Sequence, residues 1–189
     1  MGKPKLYITR QLPQAFIAPY EEQFTIDMWP KADEPVCQKE LYAKATWADA
    51  ILCLLTDQID RAFLQHANHL KIIANMAVGY DNIDVDAANE LNIIVTNTPD
   101  VLTETTADLT FALLMATARR LLTASRAIYE NKWGVWSPFQ FAGDDIHHKT
   151  IGIVGMGRIG AAVARRAKGF QMEILYHNRS RNEHLEHEL

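Results

Sequence analysis

Cysteine is scarce in this 189-residue chain: only Cys37 and Cys53 are present. Two cysteines make neither a disulfide framework nor a metal-ligand spacing. Cys53 lies inside the apolar run ILCLL and reads as a small buried hydrophobe. The expected compartment is the reducing cytoplasm, and no metal is expected. Long hydrophobic runs are missing too, since nothing approaches the roughly 18 consecutive apolar residues of a membrane span. The opening MGKPKLYITR lacks the apolar core of a secretory leader, and Leu6 breaks the myristoylation pattern at its sixth position. There is no excess of positive charge. Nineteen Lys and Arg stand against 23 Asp and Glu, a formal net charge of −4, which excludes attraction of nucleic acid through bulk charge. Internal repeats and low-complexity tracts are also absent. What remains is an ordinary globular composition, 48% hydrophobic and 22% charged, at a length that suits one or two domains.

The first hundred residues alternate short apolar runs with helical patterns, the mark of parallel α/β units. Strands are expected at KLYITR (5–10), FTIDMW (24–29), AILCLLT (50–56), KIIANMAV (71–78) and IIVTNT (93–98). Helical stretches fall between them, around 14–22, 36–48, 60–68 and 84–91. Strands this continuously apolar imply a sheet covered on both faces. Pro99 closes the last strand. The pattern then predicts one long helix over 103–132, opened by Thr105 with Asp108 three residues on, in the manner of a capping box. A helix of about 30 residues runs about 45 Å, enough to bridge two domains or two subunits. The stretch 134–149 looks irregular, and its Trp136, Phe139 and Phe141 suit local packing or an interface.

The strongest motif is TIGIVGMGRIG (150–160). An apolar strand runs straight into a glycine-rich turn and a helical pattern follows. Gly155 serves the tight turn, Gly157 lets a pyrophosphate approach the backbone, and Gly160 allows close helix–strand packing. The helix start offers unpaired N–H groups and its positive dipole end to phosphates, and Arg158 adds a charge. A second strand ends about 20 residues on, the context that lifts such a motif above chance. That strand exits through Asn178, Arg179, Ser180 and Arg181, where an acid that grips a ribose 2′-hydroxyl is usual. Asn178 removes the repulsion of a 2′-phosphate, while the two arginines and the serine hydroxyl supply donors for it. A charge-assisted bond contributes roughly 1.5–3 kcal/mol, so one alone favours NADPH over NADH by about an order of magnitude. NADP(H) is therefore the expected cofactor; a solvated basic surface is the plain alternative.

Four stretches together carry a wider likeness: CLLTD (53–57), NMAVGYDNID (75–84), NTPDVLTETTADLTFALLMATARR (97–120), and TIGIVGMGRIG with its NRSR exit. In them the chain resembles the D-isomer-specific 2-hydroxyacid dehydrogenases, most closely the glyoxylate/hydroxypyruvate reductase branch, with 2-ketogluconate reductases nearby. The resemblance implies an α/β fold. A flavodoxin-like parallel-sheet substrate domain would occupy residues 1–98, followed over 99–189 by the first part of a Rossmann-type coenzyme domain. It also implies hydride transfer to a small 2-keto acid and a homodimer formed through the coenzyme domain and the 103–132 helix. Carried over by residue, the amides of Val78 and Gly79 would hold the substrate carboxylate, with Leu54 and Leu55 lining its pocket. Ala77 stands where the family often has glycine, a change that leaves both amides in place. Thr106 would lie near the nicotinamide and phosphates, and Gly157, Arg158 and Ile159 on the pyrophosphate, with Gly155 and Gly160 shaping the turn. Core packing for the two leucines and helix capping for Thr106 are the plain alternatives.

The family's substrate-orienting arginine, its proton-donating histidine and the glutamate that poises it all follow the second coenzyme strand. No catalytic residue is therefore expected in this chain, and residues 1–189 are expected to have no turnover alone. None of the seven histidines suits the acid's role: His177 precedes the specificity turn, and His184 and His187 fall three apart with no third ligand. The first coenzyme strand belongs at the centre of a larger sheet, so an unpaired edge is expected there. Two other readings share the architecture: a non-catalytic dinucleotide-sensing protein, as in the C-terminal-binding-protein corepressors, and an NAD-linked phosphoglycerate or formate dehydrogenase.

Overall fold

A computed structural model describes residues 2–188. The chain divides into two compact units, Met1–Pro99 and Asp100–Leu189.

In the first unit, five short strands form one parallel sheet: β1 (Lys5–Ile8), β2 (Thr25–Met28), β3 (Ala50–Cys53), β4 (Ile72–Asn75) and β5 (Ile94–Thr96). Their spatial order is β2-β1-β3-β4-β5, the flavodoxin-like order, in which the winding direction reverses between β1 and β3. The intervening helices are α1 (Gln14–Ile17) with a 3-10 turn at Ala18–Tyr20, then α2 (Gln38–Ala45), α3 (Arg61–His66) and α4 (Val85–Glu90). Asp60 and Asp84 start α3 and α4 by accepting the N–H of Phe63 and Ala87, each at 2.8 Å. These bonds satisfy backbone donors that a first turn leaves without a helical partner. Tyr7, Leu41, Ile51, Phe63 and Ile73 fill the core. Cys53 is fully buried there, as its apolar run foretold, and burial pushes its thiol up to about 12.

The second unit opens with two helices, α5 (Thr103–Ala118) and α6 (Leu121–Tyr129), where the pattern predicted one. Arg120 stands at φ 54°, the left-handed region, and ends the helical run. The Asp144 N–H donates to the Ala118 carbonyl at 2.8 Å, and Arg120 reaches the Ala142 carbonyl at 3.5 Å. The returning irregular segment thus takes an end-carbonyl of α5 in place of another helical turn. Sixteen residues run about 24 Å, so the length no longer argues for a bridge. The capping box fails as well. Leu102 precedes the first helical residue with no side-chain cap, and Thr105 lies inside the first turn. Asp108 is drawn instead to Arg166, whose Nε donates to it at 2.8 Å. Within 134–149, Phe141 stacks on Trp133 at 5.1 Å while Trp136 and Phe139 stay exposed.

Then come β6 (Thr150–Val154), α7 (Arg158–Gly169), β7 (Glu173–His177) and α8 (Glu183–Glu188). β6 and β7 pair in parallel from Thr150↔Glu173 to Val154↔His177. One face of α7 meets α5 through Phe111, Ala162, Val163 and Ala167, with Phe111 and Phe170 rings 5.0 Å apart. The architecture is a flavodoxin-like parallel-sheet unit followed by the strand–helix–strand start of a Rossmann-type unit.

Candidate functional site

In open parallel sheets ligands bind beyond the carboxyl ends of the strands, at the point where the winding reverses. In the first unit those ends carry a buried polar network. Thr9, just past β1, donates through its hydroxyl to Asp57 Oδ2 at 2.5 Å, across the reversal point. The same carboxylate oxygen accepts the Leu54 N–H at 2.8 Å. Asn82 donates to the carbonyls of Leu54 and Asp57 at 3.2 and 3.0 Å. Asn75, the last residue of β4, donates to Asn82 Oδ1 at 3.2 Å and to the Gly79 carbonyl at 2.8 Å. All four polar side chains are buried, and together they lace the loops after β1, β3 and β4 into one assembly.

Val78 and Gly79 lie on the bend just past β4. Asn97 grips the Val78 carbonyl at 2.8 Å, as Asn75 grips that of Gly79. With both carbonyls drawn to asparagines, the two N–H groups have no protein acceptor among the described residues. Successive backbone N–H groups left free in a turn are the raw material of an anion-binding concavity. Leu54 is half-buried and Leu55 is 65% exposed, so core packing does not account for Leu55.

In the second unit the glycine loop connects β6 to α7 as its spacing predicts. Gly155 has φ +96°, a conformation that side chains disfavour, and makes the turn. A Cβ on Gly160 would strike the Gly155 carbonyl, so helix and strand meet there without room for a methyl. A Cβ on Gly157 would meet nothing within 4 Å, which leaves its backbone open to a ligand. Ile159 is half-buried behind it. Arg158 is exposed and paired with Asp100 at 3.0 Å. A cleft of about 690 Å³ opens beside this loop, lined by Thr103, Gly157, Arg158 and Arg165. Thr106 lies one turn into α5 and donates its N–H to the Leu102 carbonyl at 2.9 Å, so it does not cap the helix.

Asn178 does more than vacate the acid's place. Its Oδ1 accepts the Met156 N–H at 2.7 Å and ties the strand exit to the glycine loop. Arg179 and Ser180 are exposed. Arg181 is paired with Glu186, a residue that no sequence motif singles out. His184 and His187 gain no companions: among the described residues no group of three His, Cys, Asp or Glu is placed to hold a metal. No described helix is long and apolar enough to cross a membrane.

Residues 6–183 match the family model for the D-isomer specific 2-hydroxyacid dehydrogenase catalytic domain. The chain is 52% identical over 188 residues to a glyoxylate reductase of Korarchaeum cryptofilum, covering 99% of this chain and 56% of that protein. It is 48% identical to a glyoxylate reductase of Pyrococcus horikoshii, over 99% of this chain and 57% of the relative. The crystal structure of TT0316 from Thermus thermophilus superposes with a TM-score of 0.85 at 38% identity, over 94% of this chain and 57% of that one. The chain thus spans little more than half the length of the relatives it matches. Solved relatives of this fold hold either nicotinamide dinucleotide. An acyclic imino acid reductase carries NADPH (TM-score 0.80, 25% identity, 94% of this chain and 57% of that one). A D-lactate dehydrogenase from Aquifex aeolicus carries NAD (TM-score 0.77, 25% identity, 96% and 53%). With its parallel sheet and glycine loop in place and residues 6–183 on the family model, the chain belongs to the D-isomer specific 2-hydroxyacid dehydrogenases.

Proposed function

We propose that the protein reduces a small 2-keto acid (glyoxylate, hydroxypyruvate or 2-ketogluconate) to the D-2-hydroxy acid, using NADPH. The observation that carries this is the Val78–Gly79 segment, with its carbonyls held by Asn97 and Asn75 and its two N–H groups without a protein acceptor among the described residues. Two adjacent amides fit one carboxylate, and Leu54 and Leu55 offer an apolar wall for a short carbon chain. The second unit supports a dinucleotide through the Gly155 turn, the open backbone at Gly157 and the start of α7. NADPH, when bound, supplies the hydride for the keto carbon. The cradle's task is to fix the carboxylate and so aim the adjacent carbonyl, while Arg179, Ser180 and Arg181 receive the 2′-phosphate. None of these residues is given the task of orienting the keto oxygen or protonating it.

The test is a side-by-side titration of the chain with NADPH and NADH, with circular dichroism confirming the fold. NADPH should bind about tenfold tighter or more, and Arg179→Ala should erase most of that margin. Equal binding by the folded chain would sink the 2′-phosphate assignment.

A second copy of the chain is the proposed partner, docking on α5 and α6. Leu113, Leu122 and Tyr129 expose 57%, 80% and 85% of their surface there, more apolar area than a lone surface helix usually leaves in water. Sedimentation velocity should find a dimer, and Leu122→Glu should shift it towards monomer. A wild-type monomer at tens of micromolar would refute this.

A further inference from the structure

The basic exit of β7 is not a free set of donors. Glu186, on α8, accepts from Arg181 Nε at 3.0 Å through both oxygens and from Arg181 Nη2 at 2.6 Å. The Tyr176 hydroxyl donates to Glu186 Oε1 at 2.6 Å and itself accepts the Asn182 N–H at 2.9 Å. The carboxylate is thus clamped from two sides. The bonds from Arg181 and then Tyr176 hold its carboxyl down at about 2, so it is charged at any working pH. Glu183 stands 4.0 Å from Arg181 Nη1 and adds negative charge on the same side. His177, Asn178, Ser180, Arg181 and Glu186 line one pocket of about 300 Å³. Two of the expected phosphate donors, Ser180 and Arg181, therefore share one small space with a fixed negative charge, while Arg179 is not part of its lining.

We propose that Glu186 is a specificity-determining residue of the cofactor site, whose carboxylate takes the Nε–Nη2 edge of Arg181 and weakens the pocket's hold on a 2′-phosphate. This rests on the NADP(H) reading and deepens it. A guanidinium offers bidentate edges, and the edge that Glu186 fills is closed to a phosphate. The carboxylate also repels a phosphate that binds to the remaining edge. A neutral 2′-hydroxyl feels little of that repulsion, so the charge weighs on NADPH and barely on NADH. Arg179 and Ser180 are left as the principal donors, and Glu186 caps the preference for NADPH that two unopposed arginines would give.

Glu186→Gln keeps the shape, and its carbonyl oxygen still accepts from Tyr176 or Arg181, but the charge is gone. NADPH should bind the variant about three- to tenfold tighter, the size expected for one partly screened charge. NADH affinity should stay within about twofold, and the gain should shrink in high salt. If Glu186 only docked α8, both cofactors would change together. An unchanged or lowered NADPH/NADH ratio, in a wild type that prefers NADPH, overturns the proposal and leaves the cofactor reading standing. A wild type with no preference removes the cofactor reading and the proposal with it. An independent readout is the Arg181 Nε–Hε resonance of the chain titrated with inorganic phosphate. It should move in Glu186→Gln and hold nearly still in the wild type; equal movement in both refutes competition.

Discussion

Replacing Gly160 with alanine should lower the stability of the second unit by about 3 kcal/mol, near the upper end of the usual cost of overpacking. The first methyl atom would strike the Gly155 carbonyl and lie 3.3 Å from Ile153 Cγ2. Neither obstacle yields easily. The carbonyl belongs to a turn held at φ +96°, and Asn178 ties the next residue, Met156, through its N–H. Ile153 is packed beneath α7. Relief therefore requires α7 to lift off β6, which opens the contacts among Ala161, Ala164 and Met156. Gly157→Ala is the matching control, because its Cβ meets nothing within 4 Å and its φ is −83°. It should fold with a change of under about 0.5 kcal/mol and still lose dinucleotide affinity, since a methyl would stand where the pyrophosphate approaches. Urea unfolding of both variants separates the two roles. Similar small losses for both would show that the loop gives way and that Gly160 is not a steric requirement.

That contrast also marks where the sequence was legible. Apolar runs located all five strands of the first unit and both of the second, although only β1, β3 and β4 hold buried residues and β6 and β7 alternate half-buried with exposed ones. The same signal ran past the ladder ends. KLYITR reads as one strand, yet the ladder stops at Ile8, and Thr9 turns aside to bond Asp57. AILCLLT stops at Cys53 and KIIANMAV at Asn75. The overrun residues form the loops at the ligand-binding end, where some backbone groups take side-chain partners instead, as the Leu54 N–H does with Asp57 and the Val78 carbonyl with Asn97. Periodicity cannot see that change of partner.

The break between α5 and α6 was hidden for a similar reason. ATARRLL holds no glycine or proline, and the helix ends through a tertiary bond from Asp144 and a strained Arg120. The site was legible in part. The glycine turn follows from spacing, because each glycine has its own steric reason. The Arg181–Glu186 pair does not, because an isolated arginine in a basic run looks solvated until the following helix folds back on it. A sharper reading of Asn75 was available. An asparagine inside IIANMA cannot be buried without hydrogen-bond partners, so its place alone foretold a polar network.

Asn75→Ala tests that network and should cost about 2–3 kcal/mol of stability in the first unit, the desolvation penalty of buried groups left unpaired. Asn75 is 2% exposed, and one amide nitrogen serves both the Gly79 carbonyl and Asn82 Oδ1. Removing it strands an acceptor on Asn82, whose own nitrogen holds the Leu54 and Asp57 carbonyls. The disturbance therefore passes from the β4 loop to the β3 loop, and through Asp57 to Thr9. It also frees the Gly79 carbonyl to turn towards water, which rotates the adjoining peptide and misaims the amide cradle. Asn75→Asp should be worse than alanine, since a carboxylate would face the Gly79 and Asn82 oxygens with no proton to offer either. Cofactor titration should be unaffected in both variants, because every group in that site belongs to the second unit. Titration with oxalate, followed through the amide resonances of Val78 and Gly79, should show weakened binding in both. A variant that unfolds like the wild type and binds oxalate equally well would mean that the cradle holds its shape without Asn75. Asn97, on the Val78 carbonyl, would then be the residue that aims it.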